Sequence, residues 1–150
     1  MTFLARRFLL ALSLLLALVA CDPLISRFSD EAYRNATSLK ARSLALIGQS
    51  GAPFATEADA VAQLLVDVDA AYEFVKGRPG NEISAAQWDL MRNPEGALLG
   101  GYMALWQRSG RVSPLAREDA GEVISAGFDR IICLEINKRE PRACDDLEER

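Results

Sequence analysis

From residue 28 onward the chain is punctuated by residues that start and stop helices, and no stretch alternates apolar and polar side chains over the length of a strand. Phe28 before Ser29, with Tyr33 behind it, reads as a hydrophobic staple around an N-cap serine, and the helix it opens is predicted to run to about Gly48. Thr56 with Asp59 three residues on resembles a capping box with aspartate in the glutamate place, and Gly77 ends that second helix. Ser84 with Gln87 forms another box, with Ile83 and Trp88 as its staple. Asn93 before Pro94 predicts a fourth helix that stops at Gly110. Ser113 before Pro114 predicts a fifth, because proline in the first turn gives up no hydrogen bond.

Periodicity agrees with the punctuation. Val61, Leu64, Leu65, Val68, Ala71, Tyr72 and Val75 recur at three- and four-residue steps, which places them on one face of the second helix. Leu98, Leu99, Tyr102, Met103 and Trp106 make the equivalent stripe on the fourth. Ala32, Ala36, Leu39, Ser43, Leu46 and Ile47 do so on the first, and Ile124, Phe128, Ile131, Ile132 and Ile136 on the last. Cap positions Ser29, Thr56, Ser84 and Ser113 fall at near-even intervals, but the residues between them do not repeat, so a solenoid is rejected. The expected fold is all-α, a compact four- to five-helix bundle over residues 28–150.

Ahead of that domain lies a different kind of segment. Arg6 and Arg7 precede an apolar run from Phe8 to Ala20, which is too short to span a bilayer comfortably, and Leu18, Val19, Ala20 and Cys21 close it. The segment resembles the signal peptide of a bacterial lipoprotein precursor, with those four residues filling its lipobox. The resemblance covers only the first twenty-odd residues, and no family is recognised beyond it. It implies cleavage between Ala20 and Cys21, acylation of Cys21, and a short tether over residues 21–27. Several acyl chains would make release from the bilayer negligible, since one myristoyl chain alone binds only marginally. The alternative is an ordinary cleaved signal with an unrelated cysteine at its end. The arginine pair also raises a twin-arginine export signal, but the strongly apolar run favours the general secretion route. Asp22, directly after the anchor, resembles the residue that retains enteric lipoproteins in the inner membrane. Arginine outnumbers lysine 14 to 3, a bias of GC-rich genomes rather than enteric ones, so inner and outer membrane both stay open.

With Cys21 assigned to lipid, Cys133 and Cys144 remain as an even pair, and an exported chain meets an oxidising compartment. A disulfide between them would pin the tail, residues 141–150, back onto the last helix. Two free thiols or a metal site are the alternatives. A metal site is disfavoured because the chain has no histidine, and two thiolates cannot complete a tetrahedral zinc shell. No metal and no cofactor is expected.

Loss of Arg6 and Arg7 with the signal leaves 15 basic against 21 acidic side chains. That balance argues against nucleic acid, which needs a basic stripe, and anionic headgroups would repel this surface. The missing histidine also removes the usual base for a serine or cysteine nucleophile. Gly48-Gln-Ser-Gly51 and Gly77-Arg-Pro-Gly80 lack the lysine and hydroxyl residue of a phosphate cradle and read as interhelix turns. Asn35-Ala-Thr37 matches a glycosylation acceptor by chance, on a helix.

Glu135 is the low-odds catalytic candidate. It projects into the arc of Ile124, Phe128, Ile131 and Ile132, and a carboxyl surrounded by apolar side chains holds its proton as a general acid must. The blander reading places it near a frayed helix end, paired with Lys138 or Arg139. Many peptidoglycan lyases are envelope lipoproteins, but they carry their glutamate in a Glu-Ser pair, which this chain lacks. Trp106 reads as core and Trp88 as a half-buried lid. Gly100 and Gly101 within a helix read as places where a neighbour comes close. The expected function is a lipid-anchored, non-enzymatic envelope module that binds the bilayer through Cys21 and another envelope protein through its bundle. The alternative is a small glycan-acting enzyme using Glu135 with Asp67 or Asp129. A third possibility is a bundle that holds a small apolar ligand.

Overall fold

A computed structural model describes residues 26–147, so the expected lipobox ending in Ala20 and Cys21, and the expected sorting residue Asp22, lie outside the described residues. Within them lie five helices, α1 (Asp30–Gln49), α2 (Ala58–Lys76), α3 (Glu82–Arg92), α4 (Leu99–Ser109) and α5 (Pro114–Ile136). Two 3-10 segments, Phe54–Thr56 and Pro141–Leu147, complete the regular structure, and the described residues contain no strand. The all-α reading of the periodicity is therefore correct. None of these helices is long and apolar enough to cross a membrane.

Four helices close a ring: α1 packs on α2 and α5, and α3 packs on the same two. The α1–α2 and α2–α3 connections are short, so these neighbours run antiparallel. The fifth helix, α4, lies against α3 at the end of the bundle where α2 and α5 begin. Backbone bonds hold it there, from the Phe54 amide to the Gly110 carbonyl at 2.8 Å and from the Val112 amide to the Ser50 carbonyl at 2.9 Å. Trp106 adds an indole N–H donated to the Ala52 carbonyl at 3.2 Å.

The core is built where the stripes meet. Ala32, Ala36, Leu39, Ser43, Leu46 and Ile47 of α1 are all buried, as their spacing predicts. On α2 the stripe narrows to Val61, Leu64, Val68, Ala71 and Val75, with Leu65 and Tyr72 only partly covered. Trp88 is not a lid. Its side chain is 1 % exposed and meets Phe128 edge to face, with ring centroids 6.0 Å apart. Each such large side chain stabilises the fold by about 1.5–3 kcal/mol through its removal from water. Ile136 departs from its expected stripe: it is exposed, while Leu134 and Glu135 beside it are buried.

Some helix starts are as read and others move. Ser29 caps α1, its hydroxyl accepting from the Ala32 amide at 3.3 Å, and the Phe28 and Tyr33 rings meet at a tilt with centroids 6.2 Å apart. Ser113 caps α5 in the same way, accepting from Ala116, with Pro114 in first position. Thr56 instead donates to the Pro53 carbonyl inside a 3-10 turn, and α2 begins at Ala58 without a side-chain cap. Ser84 lies inside α3, whose N-cap position is Asn81. Its supposed staple is absent, since Ile83 points to solvent and Trp88 to the core. Asn93 ends α3 rather than opening α4, and its side chain accepts from the Glu95 amide in a short turn. The Asn-Pro pair thus marks a stop and a detour. The helix itself waits until Leu99.

Candidate functional site

The end of the bundle where α1 starts and α5 finishes carries a buried polar cluster centred on Glu135 and Lys138. Hydrophobic burial at Leu134 and Ile131 on α5 draws the Glu135 side chain inward, where one hydrogen-bond donor and two cations meet its two oxygens. The Ser29 amide donates to Oε1 at 2.6 Å, the Arg78 guanidinium lies 3.8 Å from the same oxygen, and Lys138 Nζ lies 2.9 Å from Oε2. The expected apolar surroundings are therefore not what Glu135 meets. Two of its partners are cations and the third is a backbone amide, the set that suits an ionised carboxylate. Nor is the helix end frayed, because Glu135 is 3 % and Lys138 7 % exposed.

Lys138 donates two hydrogen bonds, to the Asn81 side-chain carbonyl and to the Ser84 hydroxyl, the latter at 2.8 Å, and its ammonium forms an ion pair with Glu135 Oε2. Asn81 passes the chain of bonds on, donating from Nδ2 to the Val75 carbonyl at 3.1 Å. Arg78 donates to the Arg27 carbonyl at 2.7 Å, and the Ser26 amide to the Gly80 carbonyl at 3.1 Å. The cluster thus joins the entry to α1, the α2–α3 turn, the first turn of α3 and the end of α5.

A cleft of about 180 Å³ adjoins it, lined by Gly80, Asn81, Glu82, Ile83, Ser84, Leu134, Lys138 and Pro141. Glu135 does not line it, so a molecule in that cleft would meet the lysine side of the pair and not the carboxylate. The companions considered for Glu135 are held elsewhere. Asp67 accepts from Arg42 at 2.5 Å and from Gln63 at 2.9 Å, and these bonds, Arg42 first, hold its carboxyl below the usual range. Asp129 pairs with Lys40 at 2.6 Å. Neither aspartate is a partner of Glu135, so the two-carboxylate arrangement is not assembled.

Cys133 and Cys144 form a disulfide with Cα atoms 5.9 Å apart, and the 3-10 segment Pro141–Leu147 is folded back onto α5 as expected. Arg130 reinforces the fold-back, donating to the Cys144 carbonyl at 2.8 Å. A larger cleft, about 600 Å³, lies between α2 and α4, with Phe54, Val61, Leu65 and Met103 on its walls and Asp69 and Arg92 at one edge. Arg92 is occupied there. It bonds Asp69 at 3.1 Å and Asp89 at 2.9 Å, which together raise its affinity for its proton, and it lies 4.0 Å over the Tyr72 ring. Gly100 lies on the floor of this cleft, and a Cβ there would overlap the Arg92 carbonyl; one at Gly101 would overlap Gly96. The close neighbours expected at these glycines are thus the end of α3 and the turn after it. Among the described residues, no three acidic or thiol side chains converge as a metal site.

Asn81 and Arg78 were not legible as members of the site. Their positions read only as an interhelix turn, and nothing in the spacing linked that turn to residues some 50 positions away. No known protein family, curated protein or solved structure matches this chain.

Proposed function

We propose that this chain is a lipid-anchored protein of a bacterial cell envelope, held in its membrane by acyl chains on Cys21 and acting as a non-enzymatic module that binds another envelope protein. The observation that carries the reading is the sequence Leu18-Val19-Ala20-Cys21 at the end of an apolar run behind Arg6 and Arg7. The bridged pair Cys133 and Cys144 supports an oxidising compartment. The engagement of Glu135 by Ser29, Arg78 and Lys138 supports a structural use of that carboxylate over a catalytic one.

The test is fractionation followed by crosslinking. The wild-type chain is expected in the membrane fraction with acylated Cys21 as its first residue, and Cys21→Ala is expected to lose both properties. Crosslinking in intact cells, then detergent solubilisation and pull-down, should recover a defined partner band that diminishes with Cys21→Ala. An unmodified Cys21 in the mature protein overturns the anchor. Repeated recovery of the chain alone under several growth conditions overturns the partner.

A further inference from the structure

We infer that the cleft between α2 and α4 binds a single alkyl chain with an uncharged, hydrogen-bonding end, such as a linear alcohol. The site is independent of the lipid anchor and of any protein partner. The two helices are tied together from outside their own length. Before α2 and after α4, the Phe54 amide bonds to the Gly110 carbonyl. At the other end Arg92, the last residue of α3, bonds Asp69 of α2, and its carbonyl lies against Gly100 of α4. Between these ties α2 and α4 form no hydrogen bond or ion pair with each other, and they face one another with Ala58 and Ala62 on one side and Gly100 and Ala104 on the other. Side chains that small leave a trough, about 600 Å³ in volume and floored by Val61, Leu65 and Met103. That size is ordinary for a small-molecule site between helices of a bundle.

Shape and charge select the occupant. The lining follows α2 from Asp59 to Asp69, a rise of about 15 Å, so the trough is longer than it is wide and suits an extended chain. Its charged lining residues are Asp59, Asp69 and Arg92, and all three stand at the ends. Arg92 is held by Asp69 at 3.1 Å and Asp89 at 2.9 Å, and it lies over the Tyr72 ring, so it has no free face for an anion. An anionic end group would therefore meet Asp59 at one end and two carboxylates at the other. Arg108 follows Gln107 in sequence but does not line the trough. Asp59 belongs to the first turn of α2, where the helix dipole favours its charge without a partner. Beside it Gln107 bonds to no other described residue, and its amide can both donate and accept. A hydroxyl at that end finds an acceptor and a donor, while the chain behind it leaves water for apolar walls.

The experiment uses the full mature chain in phosphatidylcholine nanodiscs, with its methionines enriched in carbon-13 at the methyl group. Met103 lines the trough, whereas the methyl of Met91 is buried against Gly127 of α5 and serves as the internal control. Hexanol, octanol and decanol are supplied by dialysis, so that the free concentration of each is known. The expected result is a saturable displacement of the Met103 signal while Met91 stays in place. Affinity should rise about fourfold per added methylene, the increment for moving one such group out of water. Octanoate should bind at least tenfold more weakly than octanol. Ala62→Leu with Ala104→Leu fills the trough from both walls and should abolish the displacement with circular dichroism and the Met91 signal unchanged. Should that pair fail to fold, Ala62→Phe, at an exposed position, makes the same test. A Met103 signal that no alcohol moves overturns the inference, as does movement of both methyl signals together without saturation. Equal binding of octanoate overturns it too, because the end charges would then select nothing. Protection of Ala62→Cys from a water-soluble maleimide in intact cells, absent from the purified chain saturated with octanol, would assign the trough to a protein and reject the alkyl ligand.

Discussion

Lys138 Nζ lies 2.9 Å from Glu135 Oε2, and the two side chains, three residues apart, are both sealed from solvent. Breaking a buried pair by removing one partner typically costs about 3–5 kcal/mol, because the remaining charge keeps its desolvation penalty. We expect Lys138→Met to lower unfolding stability by about 3 kcal/mol, toward the bottom of that range since Ser29 and Arg78 still attend the carboxylate. The double variant Glu135→Leu with Lys138→Met should lose less than the sum of its singles. Urea unfolding of the four proteins checks this, and strict additivity would mean the two groups are not coupled.

The bridge between Cys133 and Cys144 closes a short loop, with a sequence separation of 11. On loop-entropy grounds, its removal should cost up to about 3 kcal/mol. Cys133→Ser with Cys144→Ser should lower the thermal midpoint and expose the tail to trypsin at Arg139 and Arg142 before the bundle itself is cut. Timed proteolysis with mass readout distinguishes local release from global unfolding; simultaneous cleavage throughout would contradict a tail held mainly by this bond.

Two glycine-to-alanine changes should act in opposite directions. At Gly48, near the end of α1, a Cβ meets nothing within 4 Å, so alanine should stabilise by about 0.5–1 kcal/mol through its better helix propensity. At Gly100 the same atom overlaps the Arg92 carbonyl, and the backbone shift should destabilise by about 1–3 kcal/mol. Thermal melts of both variants are sufficient, and a stable Gly100→Ala protein would show that the turn between α3 and α4 yields easily.

Tyr102 supplies a prediction at alkaline pH. Burial pushes its phenol above the ordinary value of 10.0, opposed by the hydrogen bond shared with Ser50 and by the nearby charge of Arg117. An acid whose affinity for its proton is raised by folding keeps its full contribution below the unfolded value and loses it as pH climbs beyond. Stability should therefore be insensitive to this residue at neutral pH and fall above pH 10.0. Tyr102→Phe should cost about 1 kcal/mol at neutral pH, where Ser50 keeps only its bond to the Ile47 carbonyl, yet decline less steeply above pH 10. Parallel slopes for the two proteins would place the alkaline loss elsewhere.

Helix number and the faces turned inward could be read from the residues, because both follow from local spacing. The six positions named on α1 are the six it buries. What failed was chemistry that depends on distant partners. Ser84 has the composition of a cap, but Lys138 takes its hydroxyl, so the helix starts earlier, at Glu82. Asn93-Pro94 has the composition of a helix start, but its local turn competes successfully and delays α4 to Leu99. Glu135 was correctly placed on the inward arc, and its pairing with Lys138 was among the readings, yet the Ser29 amide and the Arg78 guanidinium that also meet it come from two distant segments. Periodicity locates a side chain on a surface; it does not say what the opposite surface offers.

The bond from the Ser29 amide to Glu135 joins positions 106 apart in sequence, at the threshold of the first helix. Any pull exerted through the residues before Ser26 therefore arrives first at a junction braced by the last helix and by the α2–α3 turn. Mechanical load is shared across the ring of helices instead of peeling α1 away turn by turn. Rupture under force should be abrupt, and its threshold should be set by that junction more than by the hydrophobic interior behind it.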